Sequence, residues 1–479
     1  MVFIVFMMKY SSGKTVFQIS CAIILRDATL YETNEQRSEQ KRKMMKTIQI
    51  FLTVLLCFSL SAENLIQEKM EQAWEQLTQV LFCPTTNLIY DSISTSSGPE
   101  RFEHLPAVDE IQRSLPNSLG WGTGMEDSML NAGSAMDLCI LRAKLEPEKR
   151  ASARTFAASL LKGMELCATV HGKRGYVVRS VSHRDGKSCY PESSVDQFTF
   201  WVWGLWRYYR SDLSTPAEKE KIRILLTDLA SLCEKELADN VALFNPAGQW
   251  SKMTILKKTP HHAAMRLPMF YAAAYDATGD VHWLKCYQKA FMEGRRRMET
   301  VKPNSWNAFT IPQHQCSMRL CYEVDTDPGH REFLRKQMRS VSGEAEAILR
   351  KWGLAFLDGG SARWDAPAIS WRDPANSWEL QTYRNGKSVV DSSGHIHLKP
   401  RPKKEFYEPF NRLRCAGNFT IGMLLSPDYT PSAEFFSRFE SAVKKPEYRR
   451  HTSAGLVNIL HAYYLVRQYK AGHGKENMP

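Results

Sequence analysis

Several helix-period segments of this sequence are apolar or aromatic nearly all round, and each is followed by one that is apolar on a single face. The stretch 198–209 carries Phe198, Phe200, Trp201, Trp203, Trp206, Tyr208 and Tyr209, and 262–276 contains A-A-M-R-L-P-M-F-Y-A-A-A-Y. Their successors, 216–240 and 280–299, are charged and amphipathic; in the first, Ile222, Leu225, Leu226, Leu229 and Leu232 share a face. A helix that is apolar all round is buried on every side, whereas an amphipathic one borders water. Alternation of the two kinds over about six pairs predicts an all-α fold, an (α/α)6 toroid of helical hairpins with long loops gathered where the inner helices begin.

The same periodicity predicts helices over 63–82, 126–143, 149–170, 194–210, 216–240, 262–277, 280–299, 314–325, 329–352, 411–425, 432–443 and 453–470. Strand signals are few. Gly/Pro-rich connections fall at 171–193, 245–261, 354–378 and 384–410. No short exact repeat is visible, which argues against a regular solenoid.

The chain has 479 residues, 43% hydrophobic and 11% aromatic, with net charge +12. Lys46, the apolar run Ile48 to Leu60 and the small residues Ser59, Ser61 and Ala62 follow one another as the three parts of an export signal do. The run is about a dozen residues long, too short to span a bilayer. This predicts an upstream extension at 1–43 that is not part of the native protein, a signal peptide at 44–62 and one catalytic domain at 63–479, placed in the periplasm or secreted. After cleavage no stable membrane insertion is expected. Residues 1–62 hold 8 Lys/Arg and 4 Asp/Glu, so the net charge falls from +12 to +8 on the remaining 417 residues. No zinc-finger or RNA-binding signature accompanies that charge, so an acidic polymer is a better partner for it than nucleic acid. Of 11 cysteines, nine lie beyond residue 62 without any C-x-x-C. Cys139, Cys167 and Cys233 fall at core positions of helical patterns and read as buried thiols.

Four stretches carry polar chemistry. In G120-W-G-T-G-M-E-D-S-M-L-N-A-G-S-A-M-D137, three glycines form a permissive loop before a helix that starts near Glu126 or Asp127. Asp127, Asn131 and Ser134 share one face of it. The stripe suits a helix lining a cavity, while Asp127 alone suits an N-cap. In the second stretch Ser194-x-x-Gln197 reads as a capping box opening a helix, with Asp196 in its first turn. The loop before it brings Arg179, His183, Arg184, Lys187 and Tyr190 to the same end; a solvated loop and a functional one both fit. In the third, Trp250 is placed on a loop, as a sugar-stacking ring or a lid on the core, and His261 and His262 precede an inner helix. In the fourth, S361-A-R-W-D-A-P-A-I-S-W-R-D373, Trp364 stands among charges. His395-x-His397 lacks a third ligand at metal spacing, so no metal is expected, and with no Walker loop or dinucleotide fingerprint no cofactor either.

On the blocks G-W-G-T-G-M-E-D-S-M-L-N and S182-H-R-D-G-K-S-C-Y-P-E-S-S-V-D-Q197, the chain resembles the six-hairpin glycosidases, the (α/α)6-barrel superfamily, near members that act on uronic-acid glycans. The likeness covers about residues 63–479 and is one of pattern. In the glucuronyl hydrolase branch two Asp at inner-helix starts flank the reacting sugar, and the resemblance gives those places to Asp127 and Asp196. It implies an exported glycoside hydrolase acting on an acidic oligosaccharide by carboxylate acid/base catalysis. A raised acid is expected at Asp196 from its aromatic wall. Glu126, Arg179, His183, Arg184, Lys187, Tyr190, Trp250, His261, His262 and Trp364 would contact substrate, with Arg179, Arg184 and Lys187 on the uronate. Two other readings stay open: a polysaccharide lyase acting by β-elimination with His183, Tyr190, His261 or His262 as base, and a non-catalytic glycan-binding protein.

Overall fold

A computed structural model of the chain describes residues 64–94, 98–301, 307–350 and 404–473, with short segments within 3–24, at 42, 45–49, 378–382, 389–390 and 396–402. The chain divides into two compact units, Met1–Asn64 and Leu65–Pro479. In the first, Phe3–Val5 pairs with Ala22–Ile24 and Lys9–Ser11 with Lys14–Val16, both antiparallel. Most of the expected signal peptide lies outside the described residues, as does the stretch containing Trp364.

The second unit is mostly helical. A helix over 64–75 (α1) runs on into a π-helical turn, Gln76–Leu81. There follow α2 (Ser128–Leu145), α3 (Arg150–Thr169), α4 (Val195–Arg210), α5 (Pro216–Glu236), α6 (Arg266–Thr278) and α7 (Val281–Thr300). After them come α8 (Thr310–Val324), α9 (Pro328–Ile348), α10 (Lys404–Leu424), α11 (Ala433–Val443) and α12 (Gly455–His473). Among the described residues no helix is long and apolar enough to cross a membrane.

Burial follows the pattern of the sequence. α2, α4, α6 and α8 bury nearly every residue, whereas α3, α5, α7 and α9 bury one face. α2 packs on α4, α4 on α6, α6 on α8, α8 on α10, α10 on α12, and α12 on α2. The contacts between α2 and α4 advance in the same direction along both chains, from Asp127–Gln197 through Gly133–Phe200 to Asp137–Arg207, so the two helices run parallel. Phe198–Phe270 and Trp206–Asp276 give the same sense for α4 and α6.

The α2–α4 crossing is set by glycine. A Cβ on Gly133 would lie 2.0 Å from the Phe200 carbonyl oxygen, and one on Gly204 would lie 2.7 Å from Gly133 Cα. Neither can be accommodated without parting the helices. The buried tryptophans of α4 then fasten it to three neighbours, because each indole N–H needs an acceptor once it leaves water. Trp201 donates to Met164 O at 3.0 Å on α3, Trp203 to Asp137 Oδ2 at 3.2 Å on α2, and Trp206 to Asp276 Oδ2 at 2.8 Å on α6. Asp137 also accepts from Arg207 Nε at 2.8 Å and lies 3.1 Å from His461 Nε2 on α12. Burial alone would raise its pKa, but Arg207 and His461 hold it well below the usual carboxylate range.

Strands intrude where the sequence suggested only connections. Ala242–Phe244 pairs with Trp250–Ile255, so Trp250 opens a strand rather than sitting on a free loop. Trp378–Thr382, Val389–Val390 and Ile396–Pro402 form a three-stranded antiparallel sheet. The nine described cysteines are free, with Cys139, Cys167 and Cys233 buried.

Candidate active site

Gly120, Gly122 and Gly124 all have φ in the left-handed region, at 65°, 80° and 94°. These are conformations glycine adopts without strain. The Tyr190 ring fills the place where a Gly120 Cβ would be, and its hydroxyl donates to Leu115 O. Tyr190 is thus a buried wall of the loop. Glu126 does not reach outward either; its carboxylate accepts from the Gly122 N–H and shapes the loop.

Asp127 occupies the N-cap position of α2, yet its side chain makes no capping bond. Oδ1 accepts instead from Arg179 Nη2 at 3.0 Å and Gln197 Nε2 at 2.9 Å, and Oδ2 lies 3.4 Å from Arg414 Nη2. Arg414 also pairs with Asp91, whose backbone N–H donates to Gly124 O at 2.7 Å. Burial is the largest influence on Asp127 and raises its pKa. Asp91 and Asp196 push the same way, and Arg414 and Arg179 oppose them without cancelling the rise. A raised acid therefore stands at Asp127, at the head of α2.

Asp196 lies half-buried in the first turn of α4. Its Oδ1 accepts from the Ser194 hydroxyl and, at 3.0 Å, from Gln197 N. The expected Ser194–Gln197 capping box does not form. Ser194 Oγ is taken by Asp196 and by Arg179 Nη1, while the Gln197 side chain crosses to α2, donating to Asp127 and accepting from Leu130 N at 3.2 Å. A charged partner outcompetes a backbone amide for a hydroxyl, which is why the local signature misleads here.

These bonds join the two aspartates by two routes, one through Gln197 and one through Arg179 and Ser194. Arg179 is buried, and its Nε donates to Glu126 O at 2.6 Å, so each of its three nitrogens holds a protein partner. It positions Asp127.

The neighbouring buried helices α6 and α8 add a second polar group. Arg266, buried at the start of α6, donates to Gln313 Oε1 on α8. Burial lowers its pKa to about 10, and Asp196 works in the opposite direction. His262 is lowered to about 4 by burial, reinforced by Arg266 and His261. His314, wholly buried on α8, is lowered well below the usual range by burial, with His261, His262 and Arg266 adding to it. The rings of His261 and His314 are 5.7 Å apart. Arg266, Arg414, Asp91 and Gln313 were not singled out from the sequence, where nothing but position on an apolar helix distinguishes them.

The loop before α4 carries three of the other expected contacts, His183, Arg184 and Lys187. His183 packs against Phe102 and Tyr90, with ring centroids 5.7 and 6.3 Å away. Arg184 is exposed and pairs with Glu103 at 3.1 Å, and Lys187 is exposed. Glu192 turns away to accept from Asn245 Nδ2 at 2.8 Å, tying the loop to the Trp250 hairpin. Asn131 and Ser134, the rest of the α2 stripe, are fully buried below Asp127.

Set beside known proteins, the chain matches no family model and no curated protein.

Proposed function

We propose that this chain is an exported glycoside hydrolase acting on an acidic, uronate-containing oligosaccharide, built on an (α/α)6 toroid of the six-hairpin glycosidase kind. The alternation of wholly buried and one-sided helices supports the toroid, as does the succession of packed neighbours from α2 round to α12 and back to α2.

One observation carries the enzymatic reading. Two acidic side chains from the starts of adjacent parallel helices are joined through Gln197 and through Arg179–Ser194. Their environments differ. Asp127 lies between the Arg179 and Arg414 guanidiniums with its pKa raised, burial being the largest cause, which suits a general acid that protonates the leaving oxygen. Asp196, likewise partly buried, is held by neutral donors, which suits the carboxylate that activates water or takes the sugar. Arg266, whose guanidinium feels the charge of Asp196, replaces Arg179 as the candidate clamp on a uronate carboxylate.

The test is a digestion screen over uronate-containing glycans with products read by mass. A gain of one water per cleavage, lost in Asp127→Asn and Asp196→Asn, supports the reading; full turnover in both variants removes it.

A second reading has its own observation. His262 is held neutral at pH 7 beside Arg266, the pairing of base and carboxylate-neutralising cation that β-elimination uses. A lyase would release products of unchanged summed mass that absorb in the ultraviolet through a new C4–C5 double bond.

A further inference from the structure

α5 and α7, each apolar on one face only, bring three different donor types together. His282 and Cys286 stand four residues apart on α7, so they project from one face. Glu234 meets them from α5. His282 Nε2 lies 3.0 Å from Glu234 Oε2, Cys286 Sγ lies 3.7 Å from Glu234 Oε1, and Cys286 Sγ lies 3.8 Å from His282 Nε2.

We propose that Glu234, His282 and Cys286 form a binding site for a divalent, borderline-soft transition ion, zinc before others. The argument is geometric and chemical. Ligand atoms at about 2.0–2.3 Å from a tetrahedral centre stand roughly 3.3–3.5 Å from one another. The three separations observed fall within a few tenths of an ångström of that, so small side-chain rotations suffice to close on an ion. Imidazole, thiolate and carboxylate together select zinc-like ions over calcium or magnesium, which prefer all-oxygen cages. Three protein ligands leave a fourth position for water or an outside ligand. His282 is held in place by its neighbours: the Asp280 side chain caps its backbone N–H at 2.8 Å, and its ring meets Trp283 edge-on at 4.7 Å. A bound ion would cross-link α5 to α7, two helices anchored separately against α6.

The experiment uses the full chain, stripped with chelator, kept reduced, and titrated with Co²⁺ and then Zn²⁺. The expected result is one equivalent bound, a thiolate-to-cobalt charge-transfer band that zinc abolishes, proton release on binding, and a thermal midpoint that rises with zinc. Cys286→Ser removes the band, and Cys286→Ser and His282→Ala each weaken zinc binding at least about tenfold, while Cys189→Ser leaves both unchanged. All three cluster residues are surface-exposed or half-buried, so the metal-free variants should keep the wild-type circular dichroism and melting midpoint. Equal zinc affinity in Cys286→Ser and wild type, or cobalt binding without a thiolate band, overturns the proposal.

Discussion

Arg179 Nη2 donates to Asp127 Oδ1 at 3.0 Å, and so occupies the oxygen that an N-cap would have turned to its own helix. The same guanidinium holds Ser194, which in turn donates to Asp196. One buried cation thereby orients both acids of the proposed site.

Replacing either acid tests their roles. Asp127→Asn and Asp196→Asn keep the shape of the side chain and remove the proton chemistry. Each should lower kcat on the identified substrate by about 10²–10⁴-fold. Far-UV circular dichroism should stay at the wild-type level, and steady-state kinetics give the readout.

Arg179→Met should destabilise the fold, because it leaves the Asp127 carboxylate enclosed with less compensation. Removing one partner of a buried ion pair costs about 3–5 kcal/mol, and with Gln197 and Arg414 still in place the loss belongs at the lower end of that range. Urea unfolding measures it. The double variant with Asp127→Asn should recover part of the loss, since the stranded charge is gone, and a double-mutant cycle isolates that coupling.

Gly133→Ala and Gly204→Ala should each cost about 1–3 kcal/mol or more, since the added methyl meets backbone and not a movable side chain. Gly248→Ala, whose Cβ would meet nothing within 4 Å, serves as the spatial control, its own positive φ of 78° adding only a local strain. Differential scanning calorimetry separates the three.

Acid should weaken the protein through its histidines before most carboxylates titrate. The pKa of His262 is lowered to about 4 from an unfolded value of about 6.5. Between those values the unfolded chain binds the extra proton, so the contribution of His262 is complete above the upper value and is lost as pH falls toward the lower. His314 acts with the same sign. Asp127, whose pKa is raised, acts in the opposite sense above the ordinary carboxylate range. His261, Arg266 and Gln313 surround the histidines, and Arg266 and His261 resist their protonation. Melting midpoints should therefore fall from pH 7 to pH 4.5, and His262→Gln should fall less steeply over the same window.

Much of this was legible in the residues because burial leaves a periodic signature. The buried helices announce themselves by lacking a polar face, and a polar group at the head of such a helix, as Asp127 is on α2 and Asp196 on α4, has few uses. Long-range partners leave no such trace. Arg414 lies 323 residues from Asp91, and no local pattern marks either as half of a pair. The Ser194–Gln197 signature reads locally as a cap and is undone by Arg179 and Asp127, which approach from elsewhere in the chain. Trp250 looked free because pairing in a two-stranded hairpin depends on register, which composition does not reveal.

The Gly133–Gly204 contact has a consequence for how such a site can change over generations. Main chain touches main chain there, with no compressible spacer between. Asp127 stands six residues before Gly133 and Asp196 eight before Gly204, about 9 and 12 Å along their axes. Exchanging hydrophobic residues lower in the bundle cannot retune the gap between the acids. Only remodelling of the entry loops, or loss of one of the two glycines, alters the span the pair can bridge.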